Sequence, residues 1–236
     1  MTLSRIQPIH TGHYTMPADG RFPGERVVVT AFVIEHPRGL FLFDTGFSPE
    51  PRKMVDRYQP VEMRPMEEAL RAAGHRIAEV DLIANCHFHA DHAGGNRHFP
   101  GVPIFVQKQE VAHARSDADY TYLPHVADFA NAKLEEIAGE AEPWPGIRIV
   151  PTPGHSPGHQ SLVVETKEGR VVLAGQALSF SSDYARQRYS YELALAGEPH
   201  GAYPDWIARF QELDPWRVYF AHDRAVWQKD VAENVV

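Results

Sequence analysis

The sequence is short of the features that mark a secreted, membrane-bound or nucleic-acid-binding chain. It holds one cysteine, Cys86, so no internal disulfide can form and the fold must stand on packing and any bound metal, as suits a reducing compartment. No apolar run reaches the ~18 residues that read as a bilayer span, and the N-terminus lacks the charged-then-apolar pattern of a signal peptide. A cytoplasmic location without a membrane partner is therefore expected. Positive charge is also in deficit: 23 Lys and Arg against 31 Asp and Glu leave −8, which argues against nucleic acid as a partner. Fixed-period repeats and low-complexity linkers are missing as well.

What is present is ordinary globular material. With 236 residues, 43% of them hydrophobic and 23% charged, the chain can bury one substantial core, and residues 1–236 are read as a single domain. Residues 27–35 and 40–44 read as strands joined by a turn at 36–39. A helix is expected over 61–73, ending at Gly74. Residues 80–85 form a strand that leads into a histidine cluster, followed by a short helix over 93–99. A strand at 103–106 and helices at 109–115 and 126–138 come next. Further strands are expected at 147–150, 161–165 and 170–174, the last two joined by a tight turn at Glu168-Gly169. A helix over 205–213 and a strand over 217–220 complete the order. Strands in both halves with helices between them suggest two packed mixed sheets flanked by helices.

Chemistry concentrates in His87-Phe88-His89-Ala90-Asp91-His92, which puts four metal-ligating groups into six residues. Imidazole is a neutral donor suited to zinc and iron, and a neighbouring carboxylate offsets charge and can orient a water. Alternation would send His87 and His89 one way and Asp91 and His92 another, so two neighbouring metals could draw on one loop. The bland alternative is an exposed histidine-rich loop or a weak fortuitous site. Two later features weigh against it: His155, inside the proline- and glycine-fixed turn 152–160, and His222 at the end of a strand. Cys86 is expected to be a buried spectator, turned by strand alternation away from its neighbour's face. His10, His13, His36, His75, His98, His113, His125 and His200 lack motif spacing.

Through these residues the sequence resembles the metallo-β-lactamase superfamily over nearly its whole length. Within that superfamily it is similar to the N-acyl-homoserine lactonases, at Phe43-Asp44-Thr45-Gly46, 87–95, 153–162 and Phe220-Ala221-His222-Asp223. The resemblance implies an α/β fold, the αβ/βα four-layer sandwich with its site at the mouth between the sheets. It implies one metal held by His87, His89 and His155 and another held by Asp91, His92 and His222. Asp44 and His159 are implied to orient ligands by hydrogen bonds. The implied cofactor is zinc, one or two ions, with iron or manganese as alternatives.

Two positions depart from that pattern. Where the family bridges both metals with an aspartate, this chain has Gln176, which offers one neutral carbonyl oxygen and an NH₂ that repels cations. With two divalent metals, one hydroxide and an ionised Asp91, the formal charge is about +2, where an aspartate at 176 would bring about +1. Three outcomes stand open: water in place of the carboxylate, one metal position mainly filled, or a different metal. Three residues on, Ser179 occupies the place of a lactonase tyrosine. Tyr184, Tyr189 or Tyr191 could reach the site from the following segment, but a buried or surface aromatic is the plainer reading of each and none is assigned a catalytic role.

The function these features imply is metal-dependent hydrolysis that opens a lactone or related ester with metal-activated hydroxide, as in quorum quenching. Asp91 would be the catalytic carboxylate, orienting the nucleophile and passing its proton to the leaving alkoxide. Aromatic segments 120–129 and 180–191 are candidate substrate walls, with core packing as the plainer reading. The alternatives are a non-catalytic metal-binding protein for a small ligand and iron-dependent oxygen or sulfur chemistry on the same fold. A homodimer is compatible with the sequence.

Overall fold

The computed structural model describes residues 4–19, 22–47, 61–116 and 126–229. In its first half run β1 (Arg5–Thr15), β2 (Arg26–His36), β3 (Gly39–Phe43), β4 (Val61–Met63), α1 (Met66–Ala72), β5 (Val80–Ala84), α2 (Ala90–Ala93), β6 (Pro103–Gln107), α3 (Lys108–Ser116) and β7 (Lys133–Ile137). The second half holds β8 (Ala141–Trp144), β9 (Ile147–Pro151), β10 (Gln160–Glu165), β11 (Arg170–Leu173), α4 (Ser181–Leu195), α5 (Trp206–Leu213), β12 (Arg217–Tyr219) and β13 (Trp227–Gln228). One seven-stranded sheet has the order β4-β1-β2-β3-β5-β6-β7, and a six-stranded sheet has the order β13-β12-β11-β10-β9-β8. Both are mixed: β3, β5, β6 and β7 run parallel, as do β11 and β12, while the hairpins are antiparallel.

Side-chain alternation sorts these strands into layers, because successive residues point to opposite faces. Phe32, Ile34, Phe41 and Phe43 of the first sheet meet Ile149, Leu162, Val164 and Leu173 of the second to form the core between the sheets. Their neighbours Ala31, Val33, Leu40 and Leu42 face outward onto Met66 and Leu70 of α1. On the far side Val163 and Val172 pack against Tyr184 of α4 and Ile207 and Phe210 of α5. The result is helix, sheet, sheet, helix, the expected four-layer sandwich. β2 is apolar on both faces because both are covered. Phe32 is fully buried and its ring lies 5.7 Å from that of Tyr219 across the sheets. Phe32→Ala is expected to destabilise the metal-free protein by about 3–5 kcal/mol, read from urea unfolding midpoints.

Several expected elements differ. The helix over 61–73 is split: Val61–Met63 pair with β1 as a strand, and Pro65 then opens α1 at Met66. The helix over 126–138 gives way to β7, because Asn131 takes a left-handed φ of 60° that ends any helix there. The helix over 93–99 becomes α2 at Ala90–Ala93 and a single 3₁₀ turn at Asn96–His98. β1 and α4 were not expected as elements. No helix among the described residues is long and apolar enough to cross a membrane.

Candidate metal centre

The strand ends that meet at one edge of the sandwich carry the candidate ligands. β3 leads into Asp44, β5 into His87, β9 into the turn holding His155, β11 into Gln176, and β12 into His222. Gln160 ties the two sheets at this edge. Its N–H donates to the Cys86 carbonyl at 2.8 Å, and its side-chain amide donates to the carbonyls of Asn85 and Phe105. Asp91 and His92 leave the strand direction because they lie in α2, so a helical turn rather than alternation separates them from His87 and His89.

Two groups of donors result, each with its ligating atoms within 4.8 Å of one another: His87, His89 and His155, and Asp91, His92 and His222. In the second group His92 Nε2 lies 3.2 Å from His222 Nε2 and 3.4 Å from Asp91 Oδ2, and His222 Nε2 lies 3.5 Å from the same oxygen. Donors ~2.0–2.1 Å from a tetrahedral zinc stand about 3.3 Å apart, so this spacing fits the metal. In the first group His155 Nε2 lies 3.0 Å from His89 Nδ1, and His87 Nε2 is buried with no hydrogen-bond partner. An orphaned buried imidazole nitrogen is costly unless it meets a cation or a donor. The groups adjoin, with the His87 and His92 ring centroids 4.3 Å apart.

Hydrogen bonds on the far ring nitrogens aim the donors inward. His92 Nδ1 donates to Asp44 Oδ2 at 3.0 Å, and His222 Nδ1 donates to the Val28 carbonyl at 3.0 Å. Asp44 reaches its position with a left-handed φ of 65°, a strain held by its Oδ1 accepting the Cys86 N–H at 2.7 Å. Burial, then the nearby His92, lowers His222 to about 4, so its ring is neutral at pH 7. Burial alone would raise Asp91, but His92 and His222 hold its carboxylate well below the usual range.

His159 lies beside these groups and engages Gln176 through the backbone. The Gln176 N–H donates to His159 Nε2 at 3.1 Å, so Nδ1 carries the ring proton and donates to Thr152 Oγ1 at 2.8 Å. The Gln176 side chain turns its Oε1 to within 3.1 Å of His92 Nε2, on the metal-facing side. Gly175 is required before it: its φ is 58°, and a Cβ there would lie 2.5 Å from that of Cys86.

Cys86 corrects the expectation of a thiol turned away. β5 stops at Ala84, so strand alternation no longer governs residue 86, and Sγ sits 3.1 Å from His87 Nδ1 and 3.2 Å from His92 Nδ1. It forms a third close group with these two histidines. Burial, then Asp44, pushes its pKa up, and the thiol donates to Asp44 Oδ2 at 3.1 Å. Its Sγ faces the Nδ1 atoms of both rings, whereas His92 turns its Nε2 toward Asp91 and His222.

Of the two aromatic segments, 180–191 follows the plainer reading of core packing rather than that of a substrate wall. Residues 180–191 fall largely within α4, where Tyr184 is fully buried against Phe210, Phe220 and Trp227, while Tyr189 is exposed. Residues 120–125 of the other segment lie outside the described residues. The aromatic neighbour of the second donor group is instead Tyr14 of β1, whose ring meets His222 edge-on at 5.5 Å and Phe47 at 6.2 Å. Sequence reasoning missed Tyr14 because β1 went unread. It also missed Glu110 of α3, fully buried against the two ligand-bearing loops.

Residues 24–228 match the Metallo-beta-lactamase superfamily. An N-acyl homoserine lactonase of Bacillus cereus is 34% identical over 160 residues, 65% of this chain and 60% of that protein's length. The chain thus spans about 60% of the length of several curated relatives it matches. A Bacillus sp. N-acyl homoserine lactonase is 30% identical over 85% of this chain and 84% of its own. The structure of an N-acyl homoserine lactone hydrolase, with the product N-hexanoyl-L-homoserine bound at its catalytic metal center, superposes with a TM-score of 0.73. That match has 26% identity and covers 95% of both chains.

Proposed function

This chain belongs to the metallo-beta-lactamase superfamily, and from that premise we propose that it is a metal-dependent hydrolase that opens lactones or related esters, with N-acyl homoserine lactones as the first substrate class to try. One observation carries the reading: two adjoining groups of inward-aimed donors, one of them at the spacing of tetrahedral zinc coordination. His87, His89 and His155 would hold one ion and Asp91, His92 and His222 the other. Zinc suits this nitrogen-rich set, with iron or manganese as alternatives. A divalent ion held there would supply Lewis acidity, polarising a carbonyl and lowering the pKa of water toward ~7.

The chain's own groups supply the rest. Asp91 Oδ2 lies between His92 and His222, where it can orient an attacking water, and we assign to it the relay of that water's proton to the leaving alkoxide as the ring opens. Asp44 and His159 keep ligand atoms and the Gln176 backbone in register. Tyr14 and Phe47 offer an apolar wall suited to an acyl chain or a lactone ring. Tyr184 does not stand in for the tyrosine missing at Ser179, because its ring is spent on core packing. The buried thiol of Cys86 suits the reducing environment of a cytoplasm.

Gln176 sets this site apart. Its neutral oxygen leaves Asp91 as the lone carboxylate in the proposed donor set, so the two metal positions would fill unequally. Zinc-loaded protein is expected to hydrolyse members of a panel of acyl-homoserine lactones, other lactones and aryl esters, followed by proton release. If every member of that panel is left untouched, the hydrolase reading fails.

A further inference from the structure

One buried carboxylate outside the proposed donor set joins both loops that carry the His87, His89 and His155 ligands. Glu110 is fully buried in α3. Its Oε1 accepts the N–H of Phe88 at 2.8 Å, the residue between His87 and His89. Its Oε2 accepts the Ser156 hydroxyl at 2.6 Å and the Gly158 N–H at 3.2 Å, in the turn that presents His155. The approach is close enough that a Cβ on Gly158 would lie 2.2 Å from the Glu110 nitrogen. The Phe88 side chain packs with Val111 and Ala114 of the same helix.

We propose that Glu110 is a positioning residue for the His87/His89/His155 pocket, setting the distance between its two loops before metal arrives. The inference rests on reading that pocket as a metal site. The two carboxylate oxygens of Glu110 accept from three donors, each one to three residues from a proposed ligand. Both loops lack regular secondary structure at the ligands, so without such a tie their ordering would oppose metal binding. Three hydrogen bonds to one side chain of α3 supply the tie. α3 thereby acts on the pocket without contributing a ligand.

The test compares Glu110→Gln, Ser156→Ala and the parent protein for Zn²⁺ affinity, by competition with a chromogenic chelator, and for melting of the metal-free form. Glu110→Gln keeps volume but replaces one acceptor oxygen with an NH₂ that confronts a donor, and is expected to weaken zinc binding by about 10–100-fold. Ser156→Ala removes the 2.6 Å bond alone and is expected to weaken it by about 2–10-fold. Should Glu110→Gln fail to fold, Ser156→Ala decides the matter. Lower metal-free melting with unchanged zinc affinity would make Glu110 a purely structural residue and overturn the proposal. A parent protein that takes up no zinc would instead overturn the metal reading beneath it.

Discussion

Asp91→Asn is expected to lower kcat/KM for lactone opening by about 10²–10⁴-fold, the range of a lost general acid–base group. Asparagine matches aspartate in shape, so α2 and the neighbouring histidines should stay in place. What changes is charge and proton capacity. Asp91 Oδ2 lies 3.4 and 3.5 Å from the Nε2 atoms of His92 and His222, and the proposed donor set holds no other carboxylate. Losing it would weaken metal binding, and it would also deprive the leaving alkoxide of its proton source. Assays at saturating metal separate the two effects: a kcat deficit that persists there belongs to Asp91's proton-handling role. Full recovery of kcat with added metal would reduce Asp91 to a ligand.

Gln176→Asp is the converse change and should strengthen a site. A unit charge ~4 Å from another is worth about 4 kcal/mol per charge at an effective dielectric of ~20. Burying a fresh carboxylate offsets part of that gain, so the expected net effect is roughly 10–100-fold tighter binding of the weaker metal equivalent. Calorimetric titration of zinc into the metal-free parent and variant reads this directly. Two equally tight equivalents in the parent would contradict the unequal filling assigned to Gln176. Equal affinities in parent and variant would mean that the side chain does not serve the metals, despite Oε1 lying 3.1 Å from His92 Nε2.

The legible parts of the fold and the site share one property: their signal is local. The β-branched run at 27–35 and the apolar run at 40–44 report strands covered on both faces, but a continuous run does not say which layer each residue meets: Phe32 and Ile34 turn to one side and Ala31 and Val33 to the other only in the structure. The cluster 87–92 and the turn around His155 announce themselves by spacing. β1 was hidden because Pro8, His10 and Gly12 interrupt its pattern, and its register shifts between His10 and Gly12. β7, Lys-Leu-Glu-Glu-Ile, reads as helix because it is a charged strand at the sheet's edge, where polar residues guard against further pairing. α4 carries little amphipathic signal in Ser-Ser-Asp-Tyr-Ala-Arg-Gln.

The supporting contacts were hidden for a different reason. Glu110 meets Phe88 and Gly158 through their backbone N–H groups, which carry no residue identity, across 22 and 48 positions of sequence. Cys86 faces His87 and His92 because β5 ends two residues before it, a boundary that an apolar pattern does not mark. Tyr14 approaches His222 only once β1 has been placed next to β2.

The most direct test of the central claim is to follow metal content and N-acyl homoserine lactone hydrolysis in one preparation through chelation and reconstitution. The account predicts that ring opening disappears as metal is stripped and returns in proportion to zinc restored to the His and Asp pockets. Metal retained in those pockets with no turnover of any lactone or aryl ester would contradict it, and would leave a metal-binding protein for a small ligand.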